Sequence, residues 1–242
     1  MPKPLLLLAP SEDKKEGGKF GILTETKNQA WIRNAIQARI RLVSRIEISK
    51  ILDAKGDLLN KVLSQSKNLH KEIPLLPALE RYQGVAFEAL DPSSIPRKVW
   101  RQIFVLSNLR GVVRGDHMLP FYKLKMSSIE GLKAHLQKQF LSELQELPSG
   151  PVWSLLPDDQ SKLIDSWERK RHTVMILDGS GKKISHWSKY YRGVLARWIL
   201  TQQKGDPKEV FKAILPFCRI SEMNENKYGG KELIIVTNPP RK

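Results

Sequence analysis

Between Ser185 and Trp198 the chain reads Ser-His-Trp-Ser-Lys-Tyr-Tyr-Arg-Gly-Val-Leu-Ala-Arg-Trp, which sets three cations among aromatic residues. At about 100° per residue on a helix, Trp187, Tyr191, Val194, Leu195 and Trp198 gather on one face. Lys189 lies opposite them, Arg192 and Arg197 flank it, and Gly193 and Ala196 fall between the charges. Glycine inside a helix costs about 1 kcal/mol relative to alanine, so Gly193 needs a reason. One reason is a shallow groove between cations, suited to a phosphate or a flat anionic ligand. Another is close packing of the helix on a neighbour, with the cations merely solvated. The pattern fits both.

The wider charge balance points the same way as the groove. Lys and Arg total 41 against 25 Asp and Glu, a net charge of +16. Such an excess works against compactness through self-repulsion. A nucleic acid partner accounts for it, because each neutralised phosphate releases counterions; plain solubility accounts for it too. Other chemistries find little support. Gly179-Ser180-Gly181-Lys182 lacks the longer phosphate-loop pattern, and Gly17, Gly18 and Gly21 do not make a dinucleotide fingerprint. The five histidines show no metal spacing, and the one cysteine, Cys218, cannot supply a zinc cluster. No cofactor and no metal are expected. Cys218, beside Phe217 and Ile220, reads as a core residue, and a chain without a disulfide suits a reducing compartment. The run Leu5 to Ala9 is too short for a signal-peptide core, and no apolar stretch approaches the roughly 20 residues of a membrane helix. These features predict a soluble cytoplasmic protein with no membrane partner.

The elements that must position these residues follow from hydrophobic spacing. Leu5 to Ala9 is a continuous apolar run and predicts a buried, parallel strand. Asn28 to Ile48 reads as one helix, with Ile32, Ile36, Ile40 and Val43 buried and Arg33, Gln37, Arg41 and Arg45 on a solvated row. Asp57 to Leu69 is a second helix, and Pro77 starts a third that runs to about Leu90. Arg97 to Leu106 fits either a helix or a strand, and Asn108-Leu109-Arg110-Gly111 is a tight turn. Ile129 to Leu147 is a helix. Val152 to Leu156 and Thr173 to Leu177 are strands, and Lys182 to Ser185 returns as a hairpin partner. Ile184 to Gln203 carries the charged helix, and Leu233 to Thr237 is a last strand. The expected fold is mixed α/β (α+β): a single domain over residues 1–242, in which a small central mixed sheet is wrapped by helices.

Four stretches together resemble the YaaA family of bacterial peroxide-stress proteins. They are Ala9-Pro10-Ser11-Glu12-Asp13-Lys14; Leu79-Glu80-Arg81-Tyr82-Gln83-Gly84 with Phe87 and Leu90; Leu106 to Arg114 with Leu119-Pro120-Phe121-Tyr122-Lys123-Leu124; and Ser185 to Arg197. Their order covers nearly the whole chain. The resemblance implies a DNA-binding protein with a mixed α/β fold of its own, a positively charged cleft, and a part in oxidative stress and recombination repair. It also implies a helix-hairpin-helix element, whose hairpin would be Asn108-Leu109-Arg110-Gly111. Hairpin amides and the following helix N-terminus would then hold a backbone phosphate without reading sequence. The chain departs from the family pattern at Asn108 and Arg110, which replace a glycine and an aromatic residue, at Gly115, at Lys123 in place of arginine, and over Ser154 to Pro157.

The leading expectation is a protein that binds duplex, bubble or junction DNA. Its contacts would come from Lys14, Asn108, Arg110, Gly111, Arg114, Tyr122, Lys123, Lys189, Arg192, Gly193 and Arg197, with Tyr122 either stacking on a base or packing. The alternative is an enzyme acting on a nucleobase or nucleotide. Lys14 follows a buried strand end, where α/β proteins place ligands, and a desolvated lysine serves as base or Schiff-base nucleophile. Glu12 and Lys189 are its candidate helpers. A protein or RNA interaction module is a third reading.

Overall fold

A computed structural model describes residues 2–52, 54–184, 186–212 and 218–237. In chain order the elements are β1 (Leu5–Leu8), β2 (Lys19–Gly21), α1 (Lys27–Leu42), α2 (Arg45–Leu52), α3 (Gly56–Lys67), β3 (Ile73–Pro77), α4 (Ala78–Arg81) and α5 (Val85–Leu90). They continue as β4 (Ile103–Ser107), β5 (Gly111–Arg114), β6 (Met118–Pro120), α6 (Leu132–Leu144), β7 (Val152–Ser154), α7 (Asp158–Ser161), β8 (Arg171–Leu177), α8 (His186–Gln202), α9 (Pro207–Lys212), β9 (Cys218–Glu225) and β10 (Gly229–Thr237). The fold is mixed α/β, as the residue patterns predict. The chain divides into two units, one of Met1–Ala9, Gly84–Phe104 and Leu147–Lys242, the other of Pro10–Gln83 and Val105–Glu146.

The first unit holds a mixed sheet with strand order β4-β1-β7-β8-β10-β9. Strands β1, β7, β8 and β10 are parallel, with Leu6 opposite Trp153 and Trp153 opposite His172. All four residues of β1 are buried, which is why its sequence is apolar without alternation. Strand β9, at the edge, runs antiparallel to β10. Helix α8 packs on α5 and reaches β8. The hairpin expected between Thr173 and Ser185 is reduced to a turn back onto the end of β8: Leu177 and Lys183 make one isolated antiparallel bridge, and the amide of Ile184 donates to the carbonyl of Ile176 (3.3 Å). Ser185 lies outside the described residues, and so does the side chain of Cys218.

The second unit carries a three-stranded antiparallel sheet, β2-β3-β6, with the continuation of β4 into β5 and the helices α1 to α4 and α6. Ile48, Leu52, Ala54, Leu59, Val62 and Phe121 form its buried cluster, with Ile40 and Val43 packed against it. The single helix expected over Asn28 to Ile48 is two helices. Ser44 starts the second: its Oγ accepts from the amide of Glu47 (3.2 Å) and the Glu47 carboxylate accepts from the amide of Ser44 (2.9 Å). Thr26 and Gln29 make the same reciprocal cap on α1. The segment Ile73 to Pro77 is a strand, and the helix expected from Pro77 to Leu90 breaks after Arg81, where Gly84 takes φ +93°. Arg97–Gln102 is a 3-10 turn that leads into β4, so both readings of that segment hold in part.

Candidate functional site

Lys14 sits in the loop beyond β1, which lies along residues 81–83 like a short strand. Lys14 forms a bridge with Tyr82, the amide of Lys15 donates to the carbonyl of Arg81 (2.7 Å), and the amide of Gln83 donates to the carbonyl of Asp13 (2.9 Å). This pairing turns the lysine inward, to 8% exposure. Its Nζ donates to the main-chain carbonyls of Ser11 (2.8 Å) and Glu12 (3.4 Å). The same nitrogen lies 4.1 Å from the centre of the Tyr122 ring and 5.4 Å from that of Tyr82. Burial, seconded by the charge of Lys123, pushes the ammonium pKa down to about 7, although Glu12 and Asp13 pull the other way.

Both rings belong to a buried chain of hydroxyls. Tyr82 and Tyr122 share a hydrogen bond of 2.8 Å, and Tyr122 and Ser107 share one of 2.9 Å. The Ser107 Oγ also accepts from the amides of Leu109 (3.3 Å) and Arg110 (3.2 Å). Two amides occupy its lone pairs, which leaves its proton for the tyrosines. Burial pushes the Tyr122 phenol up to about 12 and that of Tyr82 well above its ordinary value. Both phenols are therefore proton donors near neutral pH. Arg81, fully buried, holds the frame together. Its guanidinium donates to the carbonyls of Leu119, Gly17 (3.0 Å), Pro74 (3.2 Å) and Lys15, and so ties the lysine loop to β3 and β6.

The residues singled out from sequence fall into several settings. Lys14, Tyr122 and Lys123 come together, with Lys123 3.9 Å from the Asp13 carboxylate. Glu12 is exposed and faces Lys125 at 3.5 Å. Tyr122 is buried and packs over the lysine, so it offers no free face to a base. Asn108 donates from Nδ2 to the carbonyl of Leu124 (2.9 Å), and Arg110 donates to the carbonyl of Thr24 (3.1 Å). Gly111 has φ +75°, and a Cβ there meets Glu143 and Gln139. Arg114 pairs with Asp116 two residues on. The turn at Asn108 to Gly111 joins strands β4 and β5, not two helices, so no helix-hairpin-helix forms there. Two of its amides, those of Leu109 and Arg110, are also spent on Ser107 and are not offered to a phosphate.

The charged helix resolves differently from the groove reading. Gly193 is buried against α5, where a Cβ would run into the carbonyl of Ala86 and the side chain of Ala89. Ala196 is buried too. Small residues here serve helix packing. Arg192 is half-buried and donates to Ser188 Oγ (3.0 Å); burial lowers its pKa, while Asp158 and Asp159 raise it. Arg197 stands 3.4 Å from Asp91, and Lys189 is exposed. Three participants are missing from the sequence-based candidates: Ser107, Tyr82 and Arg81. The last two stand together before Gly84, within the second family-like stretch, and that pairing is their only signal in the sequence.

Among the described residues no group of three or more His, Cys, Asp or Glu side chains is arranged to hold a metal ion. Among them, too, no helix is long and apolar enough to cross a membrane.

Residues 5–215 match the family described as peroxide stress protein YaaA. A UPF0246 protein of Corynebacterium glutamicum is 27% identical over 220 residues, covering 83% of this chain and 86% of its own. An uncharacterized protein of Campylobacter jejuni is 24% identical over 246 residues, covering 96% and 98%. A UPF0246 protein of Fusobacterium nucleatum is 24% identical over 235 residues, covering 90% and 93%. The match runs from β1 beyond α9 and takes in the lysine loop, the tyrosine pair and the charged helix, and on that ground the chain belongs to the peroxide stress protein YaaA family.

Proposed function

We propose that this chain is a cytoplasmic DNA-binding protein of the peroxide-stress response, which grips the phosphate backbone without reading bases. The observation that carries this reading is the net charge of +16. A polyanion relieves the self-repulsion of such a surface, and counterion release drives the association. Lys189 and Arg197 are exposed and Arg114 is partly so; Arg197 stands 3.4 Å from the Asp91 carboxylate, and Arg114 pairs with Asp116. Such pairs exchange readily for phosphate oxygens, because exposed ion pairs are worth little. Affinity for duplex, bubble and junction DNA should fall by roughly a thousand-fold between about 50 and 200 mM salt if about six phosphates are engaged. Replacing Lys189 and Arg197 together by alanine should weaken all three forms alike and make the salt slope shallower. A salt-independent affinity would sink the reading.

A second reading is chemistry on a nucleobase or nucleotide, and one observation favours it. Lys14 is a buried amine with a pKa near 7, set against two phenols that keep their protons. A base or nucleophile that works near neutral pH needs such a depression. Release of a free base or of a cleaved product from a panel of nucleosides and damaged oligonucleotides tests it, with Lys14→Arg as the control.

A further inference from the structure

Lys14 combines three features that a merely solvated or ion-paired lysine lacks. Its nearest hydrogen-bond partners are two carbonyls, Ser11 at 2.8 Å and Glu12 at 3.4 Å. A neutral amine has two N–H bonds, so those carbonyls satisfy it fully and leave its lone pair uncommitted. Its nitrogen faces the Tyr122 ring, whose hydroxyl continues through Tyr82 and Ser107 as a protonated chain. Lys123, with its side chain 16% exposed, and Lys125, 38% exposed, stand beside the loop, paired with the Asp13 and Glu12 carboxylates.

We propose that Lys14 condenses reversibly with the aldehyde of a phosphorylated sugar, forming an imine in the cage of Tyr82 and Tyr122. This rests on the second reading above and names its substrate class. The lone pair of Nζ attacks the carbonyl carbon and forms the C–N bond. The C=O π pair moves to oxygen, which takes a proton from the Tyr122 hydroxyl, while nitrogen gives up one of its own protons to the hydroxyl chain. The nitrogen lone pair then forms C=N as the carbinolamine C–O bond breaks; the oxygen leaves as water with a proton from the hydroxyl chain, and the chain takes the last N–H proton in return. The balance is amine plus aldehyde giving imine plus water, with no change of oxidation state. Lys123 and Lys125 hold the phosphate, exchanging Asp13 and Glu12 for it.

Two sources present this chemistry: a free sugar phosphate, and the ring-opened sugar of an abasic site in DNA. The test incubates the full chain with 2-deoxyribose 5-phosphate in one arm and with a duplex carrying one abasic site in the other. Each arm is trapped with cyanoborohydride. The adduct is located by peptide mass mapping, and freed products are quantified in the same samples. The expected result is an adduct on Lys14 in at least one arm, lost in Lys14→Arg and formed about tenfold more slowly in Tyr122→Phe, with both variants checked by thermal melting. The arm that reacts identifies the source. Adducts spread over exposed lysines, or no adduct in either arm, overturn the proposal. Product released without an adduct also overturns it but leaves the second reading standing, with Lys14 as a base; neither adduct nor product removes both. If Lys14→Arg does not fold, the mapped position in wild type and the Tyr122→Phe rate still decide.

Discussion

The amine of Lys14 faces the ring of Tyr122 at 4.1 Å, and the hydroxyl of that ring is bonded to Tyr82 and to Ser107. A cation over an aromatic face is attracted to it, yet burial drives the proton off the lysine. Burial is the larger effect here, and it gives the lysine a pH signature. The folded pKa, about 7, is below the unfolded value of 10.5. Between those values the unfolded chain binds more protons, so stability rises with pH by up to ~1.4 kcal/mol per unit. Wild type should therefore gain stability relative to Lys14→Met as pH goes from 7 to 10, read by urea denaturation at each pH. Below pH 7 both states are protonated and the difference should level off.

The tyrosine pair should behave as one unit. Tyr122→Phe removes the buried hydrogen bonds that the Tyr122 hydroxyl makes with Tyr82 and Ser107, at a cost of about 1–2 kcal/mol. Tyr82→Phe should cost a similar amount. The double variant should cost less than the sum by about 0.5 kcal/mol or more, because neighbours in one network couple. A double-mutant cycle in urea checks this, and strict additivity would contradict the shared network.

Gly193 and Lys189 lie on one helix but should separate cleanly. Gly193→Ala pushes a methyl group into the carbonyl of Ala86 and should cost about 1–3 kcal/mol of stability. Lys189→Ala, on the exposed face, should stay within about 0.5 kcal/mol of wild type. Thermal melts of the two proteins read the difference.

Arg81 should tolerate no replacement. Arg81→Met leaves carbonyls of Leu119, Gly17, Pro74 and Lys15 unsatisfied in a buried setting. A loss of about 3 kcal/mol or more is expected, together with faster proteolysis within residues 15–17, seen by limited digestion and mass spectrometry. Arg81→Lys should recover little, since an ammonium cannot span those acceptors.

Strand β1, buried throughout, is legible in the sequence because Leu5 to Leu8 is a continuous apolar run; Thr173 to Leu177 is legible by the same signal and lies within β8, where buried and half-buried residues alternate. Strand β9, Cys-Arg-Ile-Ser-Glu-Met-Asn-Glu, holds few apolar residues because it pairs on one side only, and its pattern gives no strand signal. Strand β3 carries two prolines, which read as a breaker. The helix-to-helix junctions at Ser44 and Gly84 are set by capping and by a positive φ, which interrupt an otherwise helical spacing. At the site, Lys14 is legible from its place after a buried strand. Its depressed pKa is not, because the rings that desolvate it come from Tyr82 and Tyr122. Gly193 is legible as an oddity, but only the approach of α5 shows why it is there.

The carbonyls that hold Lys14 belong to Ser11 and Glu12, in its own turn, whereas its rings arrive from much farther along the chain. During synthesis the turn leaves the ribosome early, and the lysine in it is then an ordinary solvated ammonium. Only after Tyr122 has emerged and docked can the proton be lost at neutral pH. The low-pKa amine thus comes into being late in translation, and a nascent chain stalled before Tyr122 carries an ordinary ammonium in its place.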